Sequence, residues 1–153
     1  VLIPAWTGLV WIHQLDQGPY LVLSLLILIW IADSGAFFAG RRWGRRKLAP
    51  AVSPGKTREG VYGALAGGLI WGIVLALWYA PGGQRIGLAL LCLVTVVASI
   101  VGDLYESLIK RERGLKDSGA LLPGHGGILD RIDSLTAAAP VFALGLYVLG
   151  ATA

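Results

Sequence analysis

Apolar residues in this chain run continuously rather than alternating with polar ones, as in LVLSLLILIWIADSGAFFAG, VYGALAGGLIWGIVLALWYA and IGLALLCLVTVVASIVG. A half-buried strand would alternate, and an open sheet could not satisfy its backbone in lipid, so these runs predict helices. Residues 19–40, 60–80, 86–102 and 134–150 each have about the 20 residues that cross a hydrocarbon core of roughly 30 Å, and 1–12 reads as the end of a further span. The predicted fold is all-α: a polytopic transmembrane helix bundle of about four full spans plus a partial N-terminal one. No internal repeat or low-complexity tract interrupts it.

Composition agrees with the pattern. Of 153 residues, 56% are hydrophobic and only 14% charged, and the mean hydropathy of +0.70 lies outside the range of soluble domains. There is no Met, and the opening VLIPAWTGLVWI is too short to span a bilayer. The chain is therefore expected to be a fragment of a longer protein, its C-terminal part. Cys92 stands alone in LLCLVTVV, which leaves no disulfide or Cys-based metal site within the chain.

Charge changes the picture more. The formal net charge is +4, and every basic residue except Arg85 falls in one of two long segments, 41–59 and 103–133. Alternating spans put both segments at one face of the membrane, and the positive-inside bias makes that face cytoplasmic. The short connections HQLDQGP, which holds His13, and PGGQR lie at the other face. The glycines of GALAGGLIWG, Gly63 with Gly67 and Gly68 with Gly72, have the small-xxx-small spacing that lets helix backbones approach. Trp6, Trp11, Trp30, Trp71 and Trp78 read as interface anchors or core filler.

Candidate chemistry gathers in KRERGLKDSGALLPGHGGILDRID. Asp103 closes an apolar run, and Ser107 would share its helix face, with Lys110 and Arg111 on the next turn. Asp130 and Asp133 are spaced to share a face of another helix, with Arg131 between them. Two carboxylate-bearing helix ends thus flank a loop with Lys116, Asp117 and PGHGG. Hard cations such as Mg2+ take one or two carboxylates plus substrate phosphates. Gly124, Gly126 and Gly127 would let backbone amides come close to a ligand. His125 sits among them, suited to a hydrogen bond with phosphate or to general-base duty. Asp33, inside an apolar run, would cost roughly 2.5–3.5 kcal/mol at mid-membrane, although eight residues before Arg41 it lies about 12 Å from the basic segment. Such a residue is expected to line a polar cavity or pair with a basic neighbour. The GKT of SPGKTREG is not a phosphate loop, because Pro50 stands where that motif needs Gly and no strand precedes it. Lys56 can still bind phosphate as a point charge.

Read as S-x-x-K-R-x4-K-D-x5-P-x-H-G-G-x-x-D-R-x-D, the run 107–133 resembles the signature of the phosphatidate cytidylyltransferases, or CDP-diacylglycerol synthases. IADSGAFFAGRRWGRRKLAP and SPGKTREG are similar to upstream blocks of that family, so the resemblance covers nearly the whole chain. Members carry further N-terminal membrane helices that are absent here. The resemblance implies a membrane enzyme that condenses CTP with phosphatidate to give CDP-diacylglycerol and pyrophosphate, requiring Mg2+, with Asp103 and Asp130 as metal ligands. On that basis Lys110, Arg111, Lys116, Arg131 and Lys56 are expected to neutralise phosphate. Asp117 and Asp133 are expected to complete the metal shell or orient the cations, and Asp33 to line the lipid head-group cavity. Ser107, His125, Gly126 and Gly127 are the remaining site candidates. The expected partners are CTP, phosphatidate and the bilayer, with no nucleic acid and with a homodimer left open. The expected location is the bacterial inner membrane, site toward the cytoplasm, with 1–153 as the catalytic membrane domain. Two alternatives stand: a CTP-dependent polyprenol or phytol-type lipid kinase, and a non-enzymatic polybasic scaffold or transporter fragment. The second leaves Asp117, Asp130 and Asp133 unexplained. A CDP-alcohol phosphotransferase would need a D-G-x-x-A-R run, and none is present.

Overall fold

A computed structural model describes residues 2–80, 82–112 and 129–150, with the backbone alone at 129–131. In chain order the elements are α1 (Leu2–Gln14), α2 (Gly18–Trp43), β1 (Lys47–Ala49), β2 (Ser53–Thr57), α3 (Arg58–Tyr79), a single 3-10 turn (Gly82–Gln84), α4 (Arg85–Glu112) and α5 (Leu129–Val148). The helical bundle is as expected. Among the described residues three helices, Gly18–Trp43, Arg58–Tyr79 and the stretch Gly82–Glu112, are long and apolar enough to cross a membrane, and Ile132–Val148 is a shorter apolar helix.

The bundle packs through small residues. Gly60, Ala64, Gly68, Gly72 and Ala76 recur every fourth position on α3 and are all buried. A Cβ on Gly35 of α2 would stand 2.6 Å from the Gly63 carbonyl oxygen, and one on Gly68 would stand 2.7 Å from Val96 of α4. Gly67 faces Ile31 on α2, while Gly72 faces Cys92 on α4. The small-residue spacing therefore serves packing, and α3 uses it toward two neighbours at once. Larger residues close the core from the other helices: Leu21, Leu25 and Leu28 on α2, Val96 on α4, and Phe142 and Leu146 on α5. Buried polar groups find partners there. The Trp71 indole N–H donates to the Ser24 carbonyl at 3.1 Å and to its hydroxyl at 3.0 Å, and the Thr95 hydroxyl donates to the Leu91 carbonyl at 2.8 Å. Trp6, Trp30 and Trp78 are exposed, whereas Trp11 meets Tyr147 edge to face.

The described parts of both long polar segments hold regular structure. Segment 41–59 holds a two-stranded antiparallel hairpin, with Lys47 opposite Thr57 and Ala49 opposite Ser53. Pro50 occupies the second position of its turn, closed by the Val52 N–H donating to the Ala49 carbonyl at 3.1 Å. Of segment 103–133, α4 continues through Glu112 and α5 begins at Leu129. His13 is likewise in the last turn of α1 rather than in a loop. The two long segments meet at one end of the bundle, where the Arg111 Nε donates to the Val52 carbonyl at 3.4 Å. The short connections meet elsewhere: the Tyr79 hydroxyl donates to the Asp16 carbonyl at 3.4 Å, and Gln84 to the Leu149 carbonyl at 3.0 Å.

Candidate active site

The hairpin is fixed at its base. The Arg58 N–H donates to the Arg46 carbonyl at 2.9 Å, and the Arg46 N–H donates to the Glu59 carboxylate at 3.2 Å. Thr57 caps α3 by accepting from the Gly60 N–H at 3.1 Å, satisfying one of the amides a helix start leaves unpaired. The end of α2 runs close by: a Cβ on Gly40 would come within 2.9 Å of the Thr57 hydroxyl. These contacts set where the neighbouring residue, Lys56, can reach.

Lys56 reaches α4. Its ammonium forms an ion pair with Asp103, both side chains being only about a quarter to a third exposed, at 27% and 29%. The other carboxylate oxygen of Asp103 accepts from the Ser107 hydroxyl at 3.5 Å, one helical turn on, as the spacing predicted. Lys110 pairs with Glu106 at 3.4 Å on the same helix. On α5, the Asp133 carboxylate accepts from the Ser134 N–H at 2.6 Å, and the Asp133 carbonyl accepts from the Thr136 hydroxyl at 2.8 Å.

Two cavities meet at this centre. One, of about 420 Å³, lies beneath the hairpin; its lining includes Asp33, Arg41, Gly55, Lys56, Thr57 and Asp103. The other, of about 680 Å³, is lined by Leu26, Ile29, Trp30, Ile132 and Leu135 with Asp33, Asp103, Lys110 and Asp133. Asp33, Asp103 and Ser134 line both. Asp33, exposed rather than buried, thus lines both cavities, close enough to Asp103 and Asp133 to be repelled by them and to Lys56 to be attracted. Three carboxylates converging beside cations form a place where phosphate groups and a hard cation can be held together.

Of the residues singled out by sequence, the fold brings together Asp33, Lys56, Asp103, Ser107, Lys110 and Asp133, and turns Arg111 to the hairpin turn. Lys116, Asp117, His125, Gly126 and Gly127, and the side chains of Asp130 and Arg131, lie outside the described residues. Arg41, Thr57 and Ser134 also line the cavities and carried no assignment. Arg41 was one of five basic residues in RRWGRRK, Thr57 belonged to a motif that failed as a phosphate loop, and Ser134 had only its place beside Asp133.

A model of the cytidylyltransferase family matches residues 1–149. The chain is 52% identical over 151 residues to a phosphatidate cytidylyltransferase of Pseudomonas aeruginosa, covering 98% of this chain and 56% of that protein. It is 53% identical over 138 residues to a phosphatidate cytidylyltransferase of Haemophilus influenzae, covering 85% and 46%. The chain thus spans about half the length of the curated relatives it matches. Among solved structures, an intramembrane enzyme for archaeal membrane lipids biosynthesis superposes with a TM-score of 0.60 at 26% identity, covering 80% of this chain and 77% of that one. A polar centre built within apolar helices, a family model matched over residues 1–149 and relatives more than half identical lead to one assignment: the chain belongs to the cytidylyltransferase family.

Proposed function

We propose that the protein of which this chain is the catalytic membrane domain condenses CTP with phosphatidate to give CDP-diacylglycerol and pyrophosphate. The observation that carries this reading is the shared wall of the two cavities at Asp33, Asp103 and Ser134. One cavity runs toward the basic hairpin, as a water-borne triphosphate needs. The other runs along α2 past Ile29 to Leu26, seven residues or about 10 Å further into the apolar span, as a lipid needs. The names of the relatives support the same pair of substrates.

In this reaction an oxygen of the phosphatidate phosphate attacks the α-phosphorus of CTP. A new P–O bond forms, the bond from the α-phosphorus to its bridging oxygen breaks, and pyrophosphate leaves with the electron pair. The nucleophile is already anionic, so the task of the protein is to bring anions together and hold them in line. Lys56 and Lys110 each line one cavity and supply positive charge, tethered by Asp103 and Glu106 respectively. Arg111, Lys116 and Arg131 are assigned to the same task, Ser107 to orienting Asp103, and His125, Gly126 and Gly127 to contacts with phosphate.

A divalent cation fits the donors. No group of three His, Cys, Asp or Glu among the described residues could hold a metal alone. Mg2+ does not require one, since it takes one or two carboxylates and fills its shell with water and substrate phosphate oxygens. Asp103 and Asp130 are assigned as the residues that would hold it, with Asp133, which lines a cavity with Asp103, and Asp117 completing or orienting the set. When bound, the ion would neutralise charge on the phosphates and orient them. The basic end of the bundle is assigned to the cytoplasmic face of a bacterial inner membrane, following the positive-inside bias.

The test is to incubate the full-length protein with labelled CTP, phosphatidate and Mg2+. A CDP-lipid with equimolar pyrophosphate is expected. Release of CDP with a phosphorylated lipid would instead establish a lipid kinase, and no turnover would favour a scaffold.

A further inference from the structure

Among the described residues, the charged side chains lining the hairpin-side cavity are two cations, Arg41 and Lys56, and two carboxylates, Asp33 and Asp103. Lys56 is engaged, because its ammonium is paired with Asp103. Arg41 is placed differently. Its guanidinium lies over the Phe37 ring, 6.0 Å from the centroid, and among the described residues it forms no ion pair. A ring face steadies a guanidinium from one side but leaves its fork of N–H donors for another partner.

A cation in the last turn of a helix is also what the helix dipole favours, and membrane-boundary arginines are common. Those effects apply equally to Arg42, which shares the last turn of α2. Only Arg41 of the two lines the cavity.

Its position along α2 says which part of a ligand it would meet. Asp33 lies where the two cavities join, and Arg41 is eight residues further on, about 12 Å toward the polar end of the bundle. On β2, Gly55 lines the same cavity, and a Cβ there would meet nothing within 4 Å. If bond exchange takes place at the junction, the phosphates beyond the reacting phosphorus extend toward Arg41. The geometry points to Arg41 as the receptor for the β- and γ-phosphates of the nucleotide, and therefore for the pyrophosphate leaving group. This rests on the proposed cytidylyl transfer. As the α-phosphorus to oxygen bond breaks, the electron pair and the growing negative charge pass to pyrophosphate, and a guanidinium there stabilises that charge through charge-assisted hydrogen bonds.

The experiment compares full-length wild type with Arg41→Gln, Arg41→Lys and Arg42→Gln in mixed micelles, measuring kcat, KM for each substrate and product inhibition by inorganic pyrophosphate. Arg41→Gln is expected to weaken pyrophosphate inhibition and raise KM for CTP by at least about tenfold, with lower kcat and with KM for phosphatidate within about twofold. Arg41→Lys should recover part of the loss, and Arg42→Gln should match wild type. An unchanged pyrophosphate constant in Arg41→Gln, or a shift confined to phosphatidate, overturns the assignment. Should the variant not fold, wild-type enzyme is treated with phenylglyoxal and the modified arginines are mapped by mass spectrometry. Pyrophosphate should protect Arg41, and protection by phosphatidate alone, or none, also overturns it. Wild-type enzyme that makes no CDP-lipid refutes the transferase reading, a separate result from an unmoved Arg41 variant.

Discussion

Lys56 on the hairpin and Asp103 on α4 are 47 residues apart in sequence and form an ion pair at the junction of the two cavities. The pair does two things. It docks the hairpin against α4, and it places a lysine beside a carboxylate assigned to the metal. Removing Lys56 leaves a partly buried carboxylate uncompensated, which costs more than an exposed pair is worth. Lys56→Met should therefore loosen the hairpin, lowering amide protection over residues 47–57 by roughly tenfold in hydrogen exchange, the equivalent of about 1.4 kcal/mol. Turnover should fall at least as far. Unchanged protection would show that the pair does not hold the hairpin.

Asp103→Asn and Asp130→Asn each keep size and remove charge. Both should lower turnover by at least about a hundredfold while leaving membrane insertion and detergent stability near wild type, as expected for groups that act on phosphate charge. Chelation of divalent cations should abolish turnover in wild type, and added Mg2+ should restore it. Wild-type rates in Asp130→Asn would remove it from the metal site.

Close backbone approach between α2 and α3 holds Asp33 near the other carboxylates. Since a Cβ on Gly35 would stand 2.6 Å from the Gly63 carbonyl oxygen, Gly35→Ala must part the helices. Overpacking of this kind typically costs about 1–3 kcal/mol. A lower unfolding temperature in detergent is expected, together with reduced activity. Gly82→Ala and Gly83→Ala, where an added Cβ meets nothing within 4 Å, should leave both unchanged.

Thr57 joins the hairpin to α3 through its bond from the Gly60 N–H. Thr57→Val removes the acceptor and should cost about 1 kcal/mol, whereas Thr57→Ser should retain most of the cap. A kinetic readout separates positioning from stability. If Thr57 sets the reach of Lys56, Thr57→Val should lower kcat even at temperatures well below its unfolding transition, and Thr57→Ser should rescue it.

Much of this molecule was legible in one dimension. Continuous apolar runs determined the helices, because lipid leaves the backbone few other ways to satisfy its hydrogen bonds. The spacing of glycines on α3 announced close packing, and the two basic segments announced a polar end. Asp103 and Ser107 could be placed on one face by helical period alone, and the pattern over 107–133 carried the family resemblance. The hairpin was missed because its strands are too short to show alternation and contain Pro54 and Gly55, which weaken any strand signal. Arg41 was missed because, in a run of like charges, composition cannot tell which side chain faces a cavity. That choice depends on the rotation of α2 about its axis, fixed by where Gly35 meets Gly63 and Gly67 meets Ile31. The sequence by itself determined which segments form apolar helices and that charge collects at one end. Only the tertiary structure decided that Lys56 answers Asp103 and that Asp33 lines both cavities, because such pairings follow from side-chain shape between distant helices, which no local periodicity encodes.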